Sequence, residues 1–201
     1  MARPKVPLLS AEIIADGALA LVDTTGDIQM VQLAKHLGVA PSSLYSHVGG
    51  RGDVIDLARR RMLEQMETPD AHDWREAVGA LLRGLAGLYT RHRRILPLIF
   101  DTTFADERSI AAYEPVFTAL VRGDFPSDQL RPIIAMIEFQ AFGLAQGLPA
   151  PTMSDTIRDA LPGYAASVEH WRDDRDATTE LAVSVLVGGL EALRTKPDRR
   201  S

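Results

Sequence analysis

The clearest pattern in this chain lies between Met30 and Arg51, in the segment MVQLAKHLGVAPSSLYSHVGGR. Apolar residues recur there at helical intervals up to Leu37, and Gly38 follows at once, where a helix commonly ends in a residue that tolerates positive φ. A second helix is expected to begin near Pro41, because proline is accepted in the first turn of a helix. Two short helices separated by a glycine turn are typical of a helix-turn-helix.

The second helix of this pair is polar on most of its surface. Leu44 and Val48 lie four residues apart and are expected to face the interior. The outer face and its flanks then carry hydrogen-bonding side chains: Ser42, Ser43, Tyr45, Ser46 and His47. Such a helix can enter the major groove of DNA. Periodicity alone leaves a second interpretation open, a helical hairpin inside an all-helical enzyme.

The rest of the chain predicts an all-α fold without strands. Helix 1 is expected to start after Ser10 and run to about Val22, with an inward face of Ile13, Ile14, Ala18, Leu21 and Val22. Helix 2 should begin near Ile28, and helix 4 should run from about Asp53 to Glu67. Further helices are expected at about 74–92, 94–101, 106–122, 127–147, 155–170 and 176–195. We divide the chain into domains at 1–52 and 53–201.

Composition excludes several classes of protein. The chain has 201 residues, of which 46% are hydrophobic, and contains no cysteine, so disulfides and thiolate metal sites are absent. No apolar run approaches the roughly 20 residues of a membrane span, and we expect a cytoplasmic protein. The net charge is −5, but residues 1 to 66 carry seven basic and seven acidic side chains. A neutral domain of this kind is expected to make few phosphate contacts on nucleic acid.

Two motifs carry a resemblance to a known family. Leu33 to Val39, LAKHLGV, followed by Leu44 to Val48, LYSHV, resembles the DNA-binding domain of the TetR (tetracycline repressor) family of transcriptional regulators. The resemblance covers Leu9 to about Met66. It implies an N-terminal three-helix DNA-binding domain, joined through a linking helix to a C-terminal helical domain for ligand binding and dimerisation. It also implies a homodimer on a palindromic, double-stranded DNA operator.

The resemblance places DNA contacts on a definite set of positions: Met30, Val31, Pro41, Ser42, Ser43, Tyr45, Ser46, His47 and Arg51. We expect Tyr45 and His47 to bind phosphate, and Arg51 to anchor a phosphate at the start of helix 4. The three serines are candidates for base edges. Met30 and Val31 can meet no more than a thymine methyl, because neither forms hydrogen bonds with bases.

The resemblance also implies a small-molecule effector that releases the regulator, most simply a repressor, from its operator. Candidate lining residues are Trp74, Tyr89, His92, Phe100, Phe104, Met136, Glu138, Phe139, Gln140 and Phe142; each of them could instead belong to the core. Glu138 could orient an amine or a metal chelate, or could be a partly solvated or interface carboxylate. No cofactor and no protein-bound metal are expected.

Two helical stretches, 133–148 and 174–193, are apolar enough to form a four-helix bundle with a second subunit, as the resemblance implies. They could also be ordinary core helices. Two other classes of protein stay open. A helical interaction protein that does not bind DNA is favoured by the neutral N-terminal domain. An all-helical enzyme would need acid/base or metal sites around His92 or His170, where the spacing of ligands on one helix face is missing.

Overall fold

The computed structural model describes residues 9–67, 73–100, 107–147 and 149–194. Over these ranges the protein consists of helices and contains no strand, which confirms the all-α prediction. The α-helices are α1 (Ala11–Thr25), α2 (Met30–His36), α3 (Pro41–Tyr45), α4 (Arg51–Leu63), α5 (Trp74–Arg91), α6 (Leu96–Ile99), α7 (Glu107–Ala111), α8 (Glu114–Arg122), α9 (Ser127–Gln146), α10 (Asp155–Ala160), α11 (Pro162–Glu169) and α12 (Arg175–Arg194). A 3₁₀ turn, Arg93–Ile95, precedes α6.

Helix α1 has the predicted start and a longer end. The Ser10 hydroxyl accepts a hydrogen bond from the Ile13 amide at 3.3 Å, so Ser10 is the N-cap. The helix continues to Thr25 because the hydroxyls of Thr24 and Thr25 donate to carbonyls four residues earlier. Gly26 then ends it with φ 79°. Of the predicted inward face, Ile13 is only half-buried and the other four residues are buried.

The helix-turn-helix forms as the glycine pattern predicts. Gly38 has φ 69°, and the Val39 amide donates to the Ala34 carbonyl at 3.0 Å, which closes the end of α2. Helix α3 starts at Pro41 as predicted but ends at Tyr45, so Ser46, His47 and Val48, expected on the same helix, follow it. Helix α2 begins at Met30 rather than near Ile28, because Gln29 has an extended backbone (φ −105°, ψ 128°) and is the N-cap. The Ile28 amide donates to the Asp27 carboxylate at 2.7 Å.

Helix α4 starts two residues earlier and ends four residues earlier than predicted. Beyond Leu63 the backbone tightens into turns, with the amides of Gln65 and Met66 donating to carbonyls three residues earlier. Val54, Ala58 and Met62 are fully buried, and α4 packs mainly against α1 while also touching α6 and α7. Because α4 serves both parts of the molecule, the division at residue 52 stays a prediction.

The C-terminal part is built around α5 and α9, which pack along each other, with α8 and α12 against α5. Two segments predicted as single helices are each broken in two. Pro115 lies in the first turn of α8 and Pro162 begins α11, and a proline has no amide hydrogen with which to continue a preceding helix. None of the described helices combines the length and the apolar character that a bilayer span requires.

Candidate nucleic-acid interface and ligand pocket

Helix α3 divides sharply into a buried side and an exposed side. Leu44 has no exposed surface and Val48 is 6% exposed, and both belong to the hydrophobic core. The predicted DNA-contact residues between Pro41 and His47 are all exposed: Pro41, Ser42, Ser43, Tyr45, Ser46 and His47. Leu44 therefore holds the short helix on the core and Val48 holds the segment that follows it, while the polar side chains of both project away from the core.

Two neighbouring details refine this surface. The Ser46 hydroxyl donates to the Ser43 carbonyl at 2.7 Å, so its hydrogen is used within the helix and its oxygen can only accept. Val31 on α2 is 70% exposed, whereas Met30 is half-buried and packs against the core. Of the two apolar candidates, Val31 is therefore the one whose side chain lies on the surface.

Arg51 makes two contacts within the protein that the sequence did not predict. Its Nε donates to the Ile28 carbonyl at 2.9 Å, and its Nη2 donates to the Asp27 carboxylate at 2.7 Å. The Arg51 hydrogen bond, together with that of the Ile28 amide, holds the pKa of Asp27 below its usual value. Arg51 thus ties the start of α4 to the turn between α1 and α2. Its separation of 24 residues from Asp27 left no sequence signal.

The loop between α3 and α4 is held by a second carboxylate. The Gly49 amide donates to Asp53 Oδ2 at 2.7 Å, and Asp53 lies in the first turn of α4. A carboxylate in this position also interacts favourably with the helix dipole. Asp53 therefore fixes where α3 ends relative to α4.

Four of the residues predicted to bind a ligand meet around one cavity of about 320 Å³, namely Phe100, Glu138, Phe139 and Phe142. Ile99, Arg131, Ile134 and Ala135 complete its lining. The Phe100 ring lies edge-on to the Phe142 ring at 5.4 Å and 6.5 Å from the Phe139 ring, measured between centroids. Tyr89 lies behind the wall, with its ring 4.7 Å from that of Phe142.

Other predicted ligand residues lie elsewhere. Trp74 packs edge-on against Phe125 at 4.9 Å and is covered by the Arg75 guanidinium, so the indole serves the core. Gln140 lines a separate cavity of about 360 Å³ that also includes Trp171. Met136 is 48% exposed on the outside of α9. Phe104 lies outside the described residues.

His92 is not among the residues that line the cavity, and it contacts the N-terminal helices instead. Its Nδ1 lies 2.7 Å from Asp23 Oδ2 on α1, and its Nε2 lies 3.2 Å from Gln65 Oε1 after α4. The imidazole therefore joins the end of α5 to the N-terminal helices. Its prediction as a ligand residue rested on its position next to aromatic residues, and the sequence held no indication of Asp23 as its partner.

Glu138 is the most unusual group in the cavity wall. It is 9% exposed, and its two carboxylate oxygens accept hydrogen bonds from the Tyr89 hydroxyl, at 2.5 Å, and from the Tyr113 hydroxyl. Burial raises the pKa of Glu138, against the opposing effects of the tyrosine hydrogen bonds and the charge of Arg59. The same burial and the nearby carboxylate raise the pKa of both tyrosines. The alternative of a partly solvated carboxylate is therefore wrong.

Sequence reasoning missed Tyr113 and Arg59. Arg59 stands in the run Arg59-Arg60-Arg61, which is typical of a solvated helix face, yet its side chain is 2% exposed. It donates to Asp56 at 2.8 Å, and its charge reaches Glu138 from α4. A buried polar group thereby connects α4 with α5 and α9.

Comparisons with known proteins agree with this geometry. No family model matches the chain. A repressor of Streptomyces coeruleorubidus, named HTH-type transcriptional repressor DrrR1, is 28% identical over 149 residues, which is 72% of this chain and 55% of the relative. An HTH-type transcriptional regulator of Saccharopolyspora erythraea is 29% identical over 123 residues, 59% of this chain and 52% of the relative. The chain spans about half the length of these curated relatives.

Solved structures define the class of fold. The TetR family protein ActR of Streptomyces coelicolor in complex with (S)-DNPA matches with a TM-score of 0.76 and 23% identity, over 93% of this chain and 99% of that chain. ActR in complex with actinorhodin gives 0.77 and 20%, over 93% and 97%. A point variant of TetR from Acinetobacter baumannii in complex with minocycline gives 0.69 and 18%, over 94% and 99%. The chain has the all-α fold of TetR family regulators, as the resemblance in its N-terminal motifs implied.

Proposed function

We propose that this protein is a ligand-responsive transcriptional regulator, acting as a repressor in the cytoplasm, that binds a palindromic DNA operator as a homodimer. The observation that carries the proposal is the two-sided character of α3. Leu44 and Val48 hold the helix on the core, and its serines, Tyr45 and His47 stand on the exposed surface. A helix of this kind fits the major groove, and its hydroxyls and imidazole can bond to bases and phosphates.

The homodimer is supported by an exposed apolar face on α9 and α12. Met136 is 48% exposed on α9, and on α12 Leu181, Val185 and Leu193 are 64%, 63% and 49% exposed. These two helices also contact each other, so their outer faces adjoin. A second copy would cover this surface. To bind successive major grooves on one side of DNA, the dimer would need its two α3 helices about 34 to 36 Å apart.

The effector site is supported by the cavity around Glu138, which lies outside the helix-turn-helix. The ActR and TetR structures named above are complexes with small molecules. The charge of Arg59 on α4 acts on the Glu138 carboxylate. Arg51, the first residue of α4, bonds to Asp27 in the turn before α2. A ligand that shifts α4 would change the spacing of the two α3 helices and so select the unbound state.

A gel-shift assay with the DNA upstream of this protein's own gene, at two salt concentrations, tests the proposal. We expect a retarded band whose affinity falls moderately with salt, since the N-terminal domain carries as many acidic as basic residues. The double variant Tyr45→Ala/His47→Ala should lose the band. Tyr164→Ala is the matched control, because Tyr164 is an exposed tyrosine on α11.

A salt-sensitive band that the control retains and the double variant loses supports the proposal. A folded protein that gives no band at either salt concentration overturns it and favours the helical interaction protein. An unaltered band with the double variant would show that α3 is not the reading helix.

A further inference from the structure

One carboxylate residue, Glu138, stands among the mostly apolar residues that line the 320 Å³ cavity. Six of its eight lining residues are Ile99, Phe100, Ile134, Ala135, Phe139 and Phe142, and the other two are Glu138 and Arg131. Arg131 is exposed, so water screens its charge, whereas Glu138 is buried. Glu138 is therefore the buried polar residue of the cavity lining.

Glu138 retains the capacity to accept further hydrogen bonds. A carboxylate has about four acceptor sites, and the hydroxyls of Tyr89 and Tyr113 use one on each oxygen. Both tyrosines donate to the carboxylate, which keeps its oxygens oriented. The group that best fits the remaining sites is a hydrogen-bond donor, because an ionised carboxylate can only accept.

Electrostatics favour a donor with a positive charge. Burial raises the pKa of Glu138, which means that desolvation costs the ionised form more than the two tyrosine hydrogen bonds and Arg59 recover. A cation beside the carboxylate would supply the missing stabilisation, and charge-assisted hydrogen bonds are roughly twice as strong as neutral ones. An anion would meet repulsion from Glu138 at the same place.

The walls favour an aromatic ligand. The rings of Phe100 and Phe142 meet edge to face at 5.4 Å, an arrangement that a further ring can extend. Phe139 is 64% exposed, so its ring is free to cover a bound molecule. Aromatic faces also attract cations. The volume lies at the small end of the range of about 300–1,000 Å³ for small-molecule sites.

We propose that this cavity binds an aromatic compound bearing a protonated amine, and that Glu138 selects it by accepting a hydrogen bond from the ammonium group. This inference rests on the proposed function, because it names the chemical class of the effector. It makes Glu138 the specificity-determining residue of the site. Tyr89 and Tyr113 are positioning residues, since they act on the ligand through the Glu138 carboxylate.

Three probes of one size and different charge test the inference by calorimetric titration of the wild-type protein. They are naphthylmethylamine, which is a cation at neutral pH, naphthylmethanol, which is neutral, and naphthoate, which is an anion. We expect the amine to bind at least about tenfold more tightly than the alcohol, and naphthoate to bind most weakly. Equal affinities, or preference for naphthoate, would overturn the inference; the second outcome would assign recognition to Arg131.

Substitution of the carboxyl group isolates its role. Glu138→Gln keeps an acceptor for the tyrosine hydroxyls and removes the charge, so we expect the preference for the amine over the alcohol to disappear while the alcohol still binds. Glu114→Gln, at an exposed position on α8, is the matched control and should keep the preference. An unchanged preference in Glu138→Gln would overturn the inference. Since the wild-type titration needs no variant, the inference stays testable if Glu138→Gln fails to fold.

Acidification gives an independent measurement. The charged or titratable groups around Glu138 are Tyr89 from α5, Tyr113 before α8, Arg59 from α4 and Arg131 on its own helix. None of these four side chains is of a type that titrates in model peptides between about pH 5 and about pH 7.5. Because burial raises the pKa of Glu138, the preference for the amine should fall as the pH is lowered and Glu138 takes up a proton, and a preference that rises instead would contradict the inference.

The inference and the proposed function fail in different assays. A protein that binds its upstream DNA but does not prefer the amine retains the proposed function and loses the inference. A protein that prefers the amine but retards no DNA keeps a cation-selective cavity and loses the proposed function.

Discussion

Arg51 Nη2 lies 2.7 Å from Asp27 Oδ1, and this contact joins the first residue of α4 to the turn that precedes α2. The same guanidinium donates through Nε to the carbonyl of Ile28, whose side chain is fully buried. The position of α2 relative to α4 therefore depends on a contact between residues 24 positions apart. A phosphate bound at Arg51 would have to compete with Asp27 for the same donors.

We expect Arg51→Ala to lower the melting temperature by about 2 °C, because the pair is half-exposed and exposed ion pairs contribute little. Asp27→Ala should have a similar effect, and the double variant should lose less stability than the sum of the two single variants, because both remove the same ion pair. Thermal unfolding followed by circular dichroism measures this. An unchanged melting temperature, combined with a weaker salt dependence of DNA binding, would instead support the phosphate anchor.

Ser43→Arg and Tyr45→Ala should have different effects on operator choice. Ser43 lies on the exposed surface of α3, where a long guanidinium would add a guanine contact, so the preferred operator should change. Tyr45 is 53% exposed and is expected to bind phosphate, so its loss should weaken all operators about equally. Selection from a randomised operator library, followed by gel shifts, compares the two variants. Uniform loss of affinity in both would show that the serine does not read bases.

Val185→Asp should convert a dimer into monomers. Val185 is 63% exposed on α12, between Leu181 and the two glycines Gly188 and Gly189, and a carboxylate there would be desolvated in the proposed interface. Sedimentation velocity over a range of concentrations measures the change. Val121→Asp is the matched control, since Val121 is 57% exposed on α8. A dimer that survives Val185→Asp and dissociates with Val121→Asp would place the interface on α8.

Stability should depend on pH through Glu138. Its pKa is raised in the folded protein above the ordinary value of 4.5, so the folded state holds this proton more tightly than the unfolded state. Its ionisation therefore destabilises the folded protein as the pH rises from about 4.5 through the folded pKa. Glu138→Gln carries no such proton.

The melting temperature of Glu138→Gln should accordingly rise relative to that of the wild type as the pH increases from about 4.5 through the folded pKa of Glu138. Glu114→Gln, at an exposed position, should keep a nearly constant difference from the wild type. Differential scanning calorimetry at a series of pH values makes the comparison. A difference that moves in favour of the wild type with rising pH would show that the pKa of Glu138 is lowered.

The helix-turn-helix was predictable because its determinants are local. Gly38 ends α2 by adopting positive φ, Pro41 begins α3, and the spacing of Leu44 and Val48 decides which face is buried. The predicted C-terminal ends of α1 and α4 were less accurate. Helix α1 is longer than predicted and includes Thr24 and Thr25, whose hydroxyls donate to carbonyls four residues earlier, and α4 is shorter because its last residues form tight turns. Helical hydrogen bonds and tight-turn hydrogen bonds compete within the last turn of a helix. The periodicity of apolar residues does not show which of the two forms.

The cavity was predictable only in part. The aromatic residues Phe100, Phe139 and Phe142 and the carboxylate of Glu138 were proposed as a group and meet around one volume. Trp74 and His92 were proposed with them, but Trp74 packs against Phe125 and His92 bonds to Asp23, both away from the cavity. A sequence shows which side chains have the chemistry to bind a ligand. It does not show which of them are already used in contacts within the folded protein.

The sequence by itself determined the all-α class, the turn at Gly38 and the exposed polar face of α3, because each depends on residues within one or two helical turns of each other. Only the tertiary structure decided that Arg51 joins two helices and that Arg59 and Tyr113 act on the carboxylate of Glu138. Those contacts join residues far apart in the chain, and burial then alters their charge energetics. Desolvation of a carboxylate is a property of everything packed around it, and so it could arise only once α4, α5 and α9 had come together.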